Sequence, residues 1–347
     1  MSRNAMAIVS SLMFAILAAS LVLLPVPYVA RRPGQTIDVL ASTDKGPVID
    51  ITDVPTFETT GKLLMTTVST TRVDATLSLP EAIFVHLGDD TEAMPREVIY
   101  PPGKSTEQVE DDAVRSMGDS RLDATVAALR AASVQVEDLP RVAAISLSGP
   151  SADKLQPDDL ILTVNDQPVS SRNAVRDIVD LHAVGDTVVL SVLREGAETS
   201  VAIVLGQSST EPRRPVLGVE LVPGYRFTPR VTFGVDQAVT GSSAGLIFAL
   251  GIYDRITDGD LVGGNVIAGT GTIDPEGVVG PIGGVREKVK GAERDGATIF
   301  LLPERNCSDL EGVDTPLTLV SVSTLRDAIS ALQHIFEGNT AEVPTCG

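Results

Sequence analysis

From Ala5 to Leu24 the chain is apolar and carries no charged residue. Such a run has few structural solutions. About twenty apolar residues in a helix satisfy their own backbone N–H and C=O groups and match the hydrocarbon thickness of a bilayer. Pro25 and Pro27 end the helix, and Arg31-Arg32 mark the interface beyond it. A cleaved leader is the main alternative and a buried core helix a distant third. The run is long for a leader's apolar region, and no A-x-A site stands nearby, since Tyr28 precedes Val29-Ala30. The expectation is an uncleaved signal anchor. Arg3 and the α-amine on one side nearly balance Arg31 and Arg32 on the other, so charge alone leaves the orientation open.

The formal net charge of −19 argues against non-specific nucleic-acid binding, and no basic stripe is visible. Cys307 and Cys346 are the only cysteines. A disulfide between them is permitted outside the cell, and whether they pair is left open. Neither has His or Cys neighbours at metal-ligand spacing, so no metal site and no cofactor are expected. His86, His182 and His334 fall in three separate segments, which disfavours a Ser-His-Asp arrangement.

The chemistry concentrates in the last third. Gly241-Ser242-Ser243-Ala244-Gly245 opens an apolar helix. Gly241 and Gly245 permit a tight turn and close approach, and a helix start offers N–H groups and a positive dipole end to an oxyanion. Downstream, Val285, Lys288, Val289 and Ala292 fall at i, i+3, i+4 and i+7, which puts a lysine on an apolar face. Burial lowers an ammonium's pKa, and a lysine neutral near pH 7 is a general base able to activate a serine. Alone, Ser243 is a plain helix cap and Lys288 a lysine snorkelling out of a core. Together they point to catalysis.

Residues from about Val216 to Ile335 resemble the proteolytic domain of Lon-type peptidases. The shared features are the Gly241–Gly245 loop, Thr270-Gly271, Gly280-Pro281-Ile282-Gly283-Gly284-Val285-Arg286-Glu287-Lys288, and Thr298-Ile299-Phe300-Leu301-Leu302-Pro303. Asn306 and Asp309-Leu310-Glu311 match as well. The resemblance implies Ser243 as nucleophile, Lys288 as base and Thr270 as the hydroxyl that orients the lysine, with Gly241 and Ala244 in support. Many members have Asp-Gly-Pro before the serine, whereas this chain has Thr240-Gly241-Ser242, so Asp236 receives no role. Ser242 is a rival nucleophile on paper; the motif's register selects Ser243.

The run Leu155-Gln156-Pro157-Asp158-Asp159-Leu160-Ile161-Leu162-Thr163-Val164-Asn165-Asp166-Gln167-Pro168-Val169 resembles a PDZ domain, with Asp158 and Asp166 where glycines are usual. A helix over Ala174–Leu181 and a hairpin around Glu195-Gly196 follow. Such a module binds extended peptides as an added strand or serves as a spacer. No clear G-L-G-F carboxylate loop is found. Residues 36–104 read as strands, Leu63–Thr71 and the short apolar run Ala82–Leu87 among them, and Thr106–Ala132 reads as a helix with Leu122, Val126 and Leu129 on one face. Gly103-Lys104-Ser105 ends like a phosphate loop, but Val98 stands where its first glycine belongs.

The expected fold class is α+β multidomain. It comprises a transmembrane helix (1–32), a β-rich region (33–105), a helical segment (106–133), a PDZ-like domain (134–206), a linker (207–215), a Lon-type α/β protease domain (216–337) and a tail (338–347). The expected function is an ATP-independent, membrane-anchored serine endopeptidase with polypeptide substrates. The overall layout resembles bacterial PDZ–Lon membrane proteins of the YlbL type, which implies a single-pass protein with its body outside the cytoplasm. The Lon-type resemblance further implies homo-oligomers. The alternatives are a PDZ-based envelope scaffold with a weakly active Lon-like domain and an assembly platform.

Overall fold

The computed structural model describes residues 3–44, 46–88, 90–209 and 213–346. The expected linker's residues 210–212 and the amino-terminal charge lie outside them. The helices are α1 (Arg3–Leu23), α2 (Leu79–Leu87), α3 (Arg96–Ile99), α4 (Thr106–Ala131), α5 (Arg172–Val179), α6 (Gly245–Ile256), α7 (Val285–Arg294) and α8 (Leu325–Phe336). The chain forms two compact units, Met1–Ser133 with Pro229–Gly347, and Val134–Thr228.

The discontinuous unit is built on a six-stranded sheet in the order Thr318–Val322, Ile299–Pro303, Val266–Gly269, Lys62–Thr70, Tyr28–Asp38, Glu92–Pro95. The first four strands run parallel, Tyr28–Asp38 runs against them, and Glu92–Pro95 pairs antiparallel with Tyr28–Asp38. Parallel strands buried on both faces read as continuous apolar runs, and Ile299–Pro303 is buried at every position. Leu64, Ala268, Phe300 and Leu302 pack with Val285, Val289 and Ala292 of α7. Helix α6 also packs on the strand Lys62–Thr70 and against α4 and α8. Its Leu246, Ile247, Phe248, Leu250 and Ile252 are fully buried, each worth about 1.5–3 kcal/mol of apolar transfer.

This architecture redraws the expected boundaries. Residues 33–105 are not a separate region, because Lys62–Thr70 pairs in parallel with Val266–Gly269 from Val266↔Lys62 to Gly269↔Met65. Ile49–Thr52 pairs with Arg230–Phe233. Helix α4 likewise belongs to this unit. Parallel pairing needs a long crossover, so the partners lie far apart in sequence and local patterns do not reveal them. The apolar run Ala82–Leu87, read as a strand, is helix α2. A capping box starts it: Ser78 Oγ accepts from Glu81 N, and Glu81 Oε2 accepts from Ser78 N. The tail is also structured. Ser321 N donates to Pro344 O at 3.0 Å, and Cys346 is disulfide-bonded to Cys307.

The continuous unit is an antiparallel sheet in the order Ala197–Val204, Thr187–Arg194, Leu160–Val164, Glu137–Ile145, Val219–Arg226, with α5 beside it. The hairpin around Glu195-Gly196 forms as expected, and Asp158 and Asp166 adopt φ of 70° and 61°. The edge strand Val219–Arg226 pairs with Glu137–Ile145 throughout, so residues 216–228 belong here and not to the protease domain.

Candidate active site

Ser243 lies in the turn that enters α6. Gly241, at φ 92°, sets the loop's direction in a backbone region that side chains rarely adopt. Helix α4 holds this loop from behind. Gly241 N donates to Ala113 O at 3.1 Å, and Ser120 Oγ donates to Ser242 O at 3.0 Å. Sequence reasoning missed both contacts, since nothing in the spacing of α4 marks Ser120 as anything but a small helix residue. The Gly241 and Gly245 N–H groups are engaged, whereas those of Ser243 and Ala244 donate to no backbone carbonyl among the described residues. They sit at the positive end of α6.

Lys288 is 1 % exposed and fully inside the unit. Its Nζ lies 2.7 Å from Ser243 Oγ and 2.8 Å from Thr270 Oγ1. Thr270 Oγ1 donates to Ser243 O at 3.0 Å. The threonine's proton is therefore committed to a carbonyl, and its oxygen is free to accept an N–H of the lysine. Ser243, Thr270 and Lys288, singled out from sequence, thus meet in one cluster. Ser242, the rival, turns its carbonyl to Ser120. Asp236 accepts from Ala238 N within its own turn, and His182 and His334 bond to groups elsewhere.

The Lys288 pKa is lowered from 10.5 to about 7, foremost by burial and then by the Arg31 charge, while Glu287 opposes both. Arg31 was expected only as an interfacial charge. It lies on the strand Tyr28–Asp38, opposite Glu92, and its Nη1 donates to Glu92 Oε2 at 3.4 Å. A Cβ at Gly284 would sit 2.9 Å from Arg31 Cδ, so the glycine at this left-handed position (φ 72°) also makes room for the arginine at the start of α7. Glu287, itself buried, has its pKa raised by desolvation. Asn306 fixes the loop ahead of α7. Its Oδ1 accepts from Ile282 N, and its Nδ2 donates to Ile282 O, both at 2.9 Å, and to Asp309 Oδ2 at 2.7 Å.

A cleft of about 150 Å³ opens beside Ser243, lined by Met65–Val68, Met117 and Ala238–Gly241. Beyond Met65 the strand Lys62–Thr70 no longer pairs with Val266–Gly269. In the other unit a groove of about 1230 Å³ runs between α5 and the edge strand, with Arg172, Arg176 and Arg214 in its wall. Leu217-Gly218-Val219 leads into that strand, with Gly218 at φ 74°. Sequence reasoning found no clear carboxylate loop, and the structure places this glycine turn after the hairpin, at the start of the groove's edge strand. The signal was Leu217-Gly218-Val219-Glu220-Leu221 after the hairpin.

Comparison with known proteins agrees with this anatomy. Residues 127–205 match the PDZ domain family, and residues 236–334 match the Lon protease C-terminal proteolytic domain family. The Lon protease of Chloroflexus aurantiacus is 34 % identical over 146 residues, covering 40 % of this chain and 16 % of that protein. A Lon protease of Clostridium beijerinckii is 33 % identical over 111 residues, covering 28 % and 14 %. The match thus spans less than a fifth of either relative's length. Among solved structures, the PDZ domain of the SdrC-like protein of Listeria monocytogenes is 25 % identical, covering 24 % of this chain and 86 % of its own, with a TM-score of 0.23. The chain thus joins a PDZ domain and a Lon-type proteolytic domain in one polypeptide.

Proposed function

We propose that the chain is a membrane-anchored serine endopeptidase that works without ATP and cuts unfolded or extended polypeptides with Ser243 and Lys288. The observation that carries this reading is the 2.7 Å approach of a fully buried lysine amine to Ser243 Oγ. In the neutral amine one N–H is held by Thr270 and the lone pair faces the serine hydroxyl. Ser243 Oγ attacks the scissile carbonyl carbon as its proton passes to Lys288. The tetrahedral oxyanion accepts hydrogen bonds from the Ser243 and Ala244 N–H groups at the start of α6. Lys288 then protonates the leaving amine, the C–N bond breaks, and an acyl-enzyme remains. A water deprotonated by Lys288 cleaves the ester and restores the serine.

The cleft's size suits an extended chain lying between Thr66–Val68 and Val239–Gly241 rather than a folded surface. The groove beside α5 suits a peptide added to the edge strand Val219–Arg226, and its arginines favour acidic side chains or a terminal carboxylate. Helix α1 supports anchoring, since Asn4–Leu23 has a mean hydropathy of 2.4 and none of it is buried. The Cys307–Cys346 disulfide supports an extracytoplasmic body. Gly103-Lys104-Ser105 is a helix start and not a phosphate loop, since Ser105 caps α4 by accepting from Gln108 N. The test is hydrolysis of an unfolded protein by the full chain in liposomes, without nucleotide, against Ser243→Ala and Lys288→Ala. Equal activity in all three would sink the mechanism.

A further inference from the structure

Helix α2 is apolar on two opposite faces. Ala82 and Val85 are buried in a small core with Ala30 and Leu77. At about 100° per residue, Pro80, Ile83, Phe84 and Leu87 fall on the other side, with Glu81 and His86 on the flanks. Ile83, Phe84 and Leu87 are 50, 80 and 75 % exposed. A helix lying on a soluble surface normally turns polar residues outward, and a contiguous bare apolar face marks an interaction site.

The position of α2 identifies what covers it. The chain leaves α1 at Leu23, and Pro25–Val26 pairs antiparallel with Leu77–Ser78 in the register Pro25↔Ser78 and Val26↔Leu77. Ser78 is the N-cap of α2, so the helix starts directly beside the end of the apolar span, and α1 packs against it. The exposed surface runs on through Leu23, Leu24 and Tyr28. A tyrosine just past a span is at home at the headgroup level, and Arg32, close enough to Glu81 to act on its carboxylate, offers a charge to anionic lipid.

We propose that α2 is an interfacial helix whose Ile83–Phe84–Leu87 face lies in the headgroup–acyl boundary of the bilayer that α1 crosses. This rests on the reading of α1 as a membrane span. The contact would hold the strand Tyr28–Asp38, and with it Arg31 beside the lysine helix, at a fixed height above the membrane.

The test uses the full chain in liposomes of phosphatidylcholine and phosphatidylglycerol. Both natural cysteines are in the disulfide, so a thiol introduced by Phe84→Cys, Leu87→Cys or Leu17→Cys is unique and takes an environment-sensitive fluorophore or a nitroxide. The expected result is that shallow lipid-borne nitroxides quench the Phe84 and Leu87 probes at least about twofold more than aqueous iodide does, with the Leu17 probe quenched from the bilayer centre. Iodide quenching at Phe84 and Leu87 with Leu17 still in lipid would overturn the interfacial helix and leave the anchor standing. Iodide access to Leu17 would remove the anchor and this proposal with it. Dipolar coupling between nitroxides at Phe84 in two chains would show a second copy on the face, also overturning it.

Discussion

The groove of the continuous unit and the cleft of the discontinuous one are built in opposite ways. The groove draws on residues 144–221, one stretch of antiparallel strands and a helix, and is wide. The cleft is narrow and depends on segments that meet only through the parallel sheet: Met65–Val68, Ala113 to Ser120, Ala238–Ala244, Thr270 and Lys288. The groove closes within one stretch of chain, its edge strand returning to pair with Glu137–Ile145. Placing an amine 2.7 Å from a hydroxyl needs long-range closure, so the chemistry should be fragile where recognition is robust.

The sharpest break in this contrast is chemical. Ser243→Ala and Lys288→Met should each lower kcat/KM for an unfolded substrate by at least about 10³-fold, while peptide affinity at the groove, measured by fluorescence anisotropy, stays unchanged. Next is the disulfide, which closes a loop spanning 39 positions in the catalytic unit. Its removal by Cys307→Ser with Cys346→Ser should cost up to about 4 kcal/mol by chain entropy, read from denaturant melts. Only the catalytic unit's transition should move. Asn306→Ala leaves the Ile282 N–H and C=O unpartnered at a half-buried turn and should cost about 1–2 kcal/mol. It should also lower kcat more than it raises KM, because it loosens the lysine helix and not the substrate's seat.

A smaller effect tests the charges behind the base. With the Lys288 pKa lowered to about 7, the ammonium below that pH has no lone pair, so activity should rise through pH 7 and then level. Arg31→Met removes a positive neighbour and should move that limb to higher pH, costing roughly two- to fivefold in rate at pH 7. Glu287→Gln should move it the other way. Shifts of the same sign in both variants would show that packing rather than charge sets the limb. The smallest change is expected at the groove, where Arg172→Glu with Arg176→Glu should weaken acidic peptides about five- to tenfold and leave cleavage of a short apolar peptide unaltered.

Much of the site was legible in the sequence. The spacing of Val285, Lys288, Val289 and Ala292 states that a lysine faces a core, and two glycines around Ser243-Ala244 state a tight turn into a helix. Both are local patterns, written within two turns of chain. Arg31, Ser120 and Asn306 were harder. A guanidinium next to an anchor reads as an interfacial charge until a strand pairing sets it against Gly284. A serine in mid-helix carries no mark of the carbonyl it will meet. Helix α2 was misread because its two apolar faces mimic a short buried strand, although Ser78 and Glu81 already spelled a capping box.

The sequence by itself determined the apolar span, the PDZ hairpins and the serine–lysine pattern, since each depends on residues a few positions apart. Only the tertiary structure decided that residues 28–70 complete the sheet of the discontinuous unit, that α4 supports the Ser243 turn and that the groove's edge strand pairs back onto Glu137–Ile145. Those choices rest on burying apolar strand faces against distant partners, and the free energy of that burial depends on area removed from water and not on order along the chain.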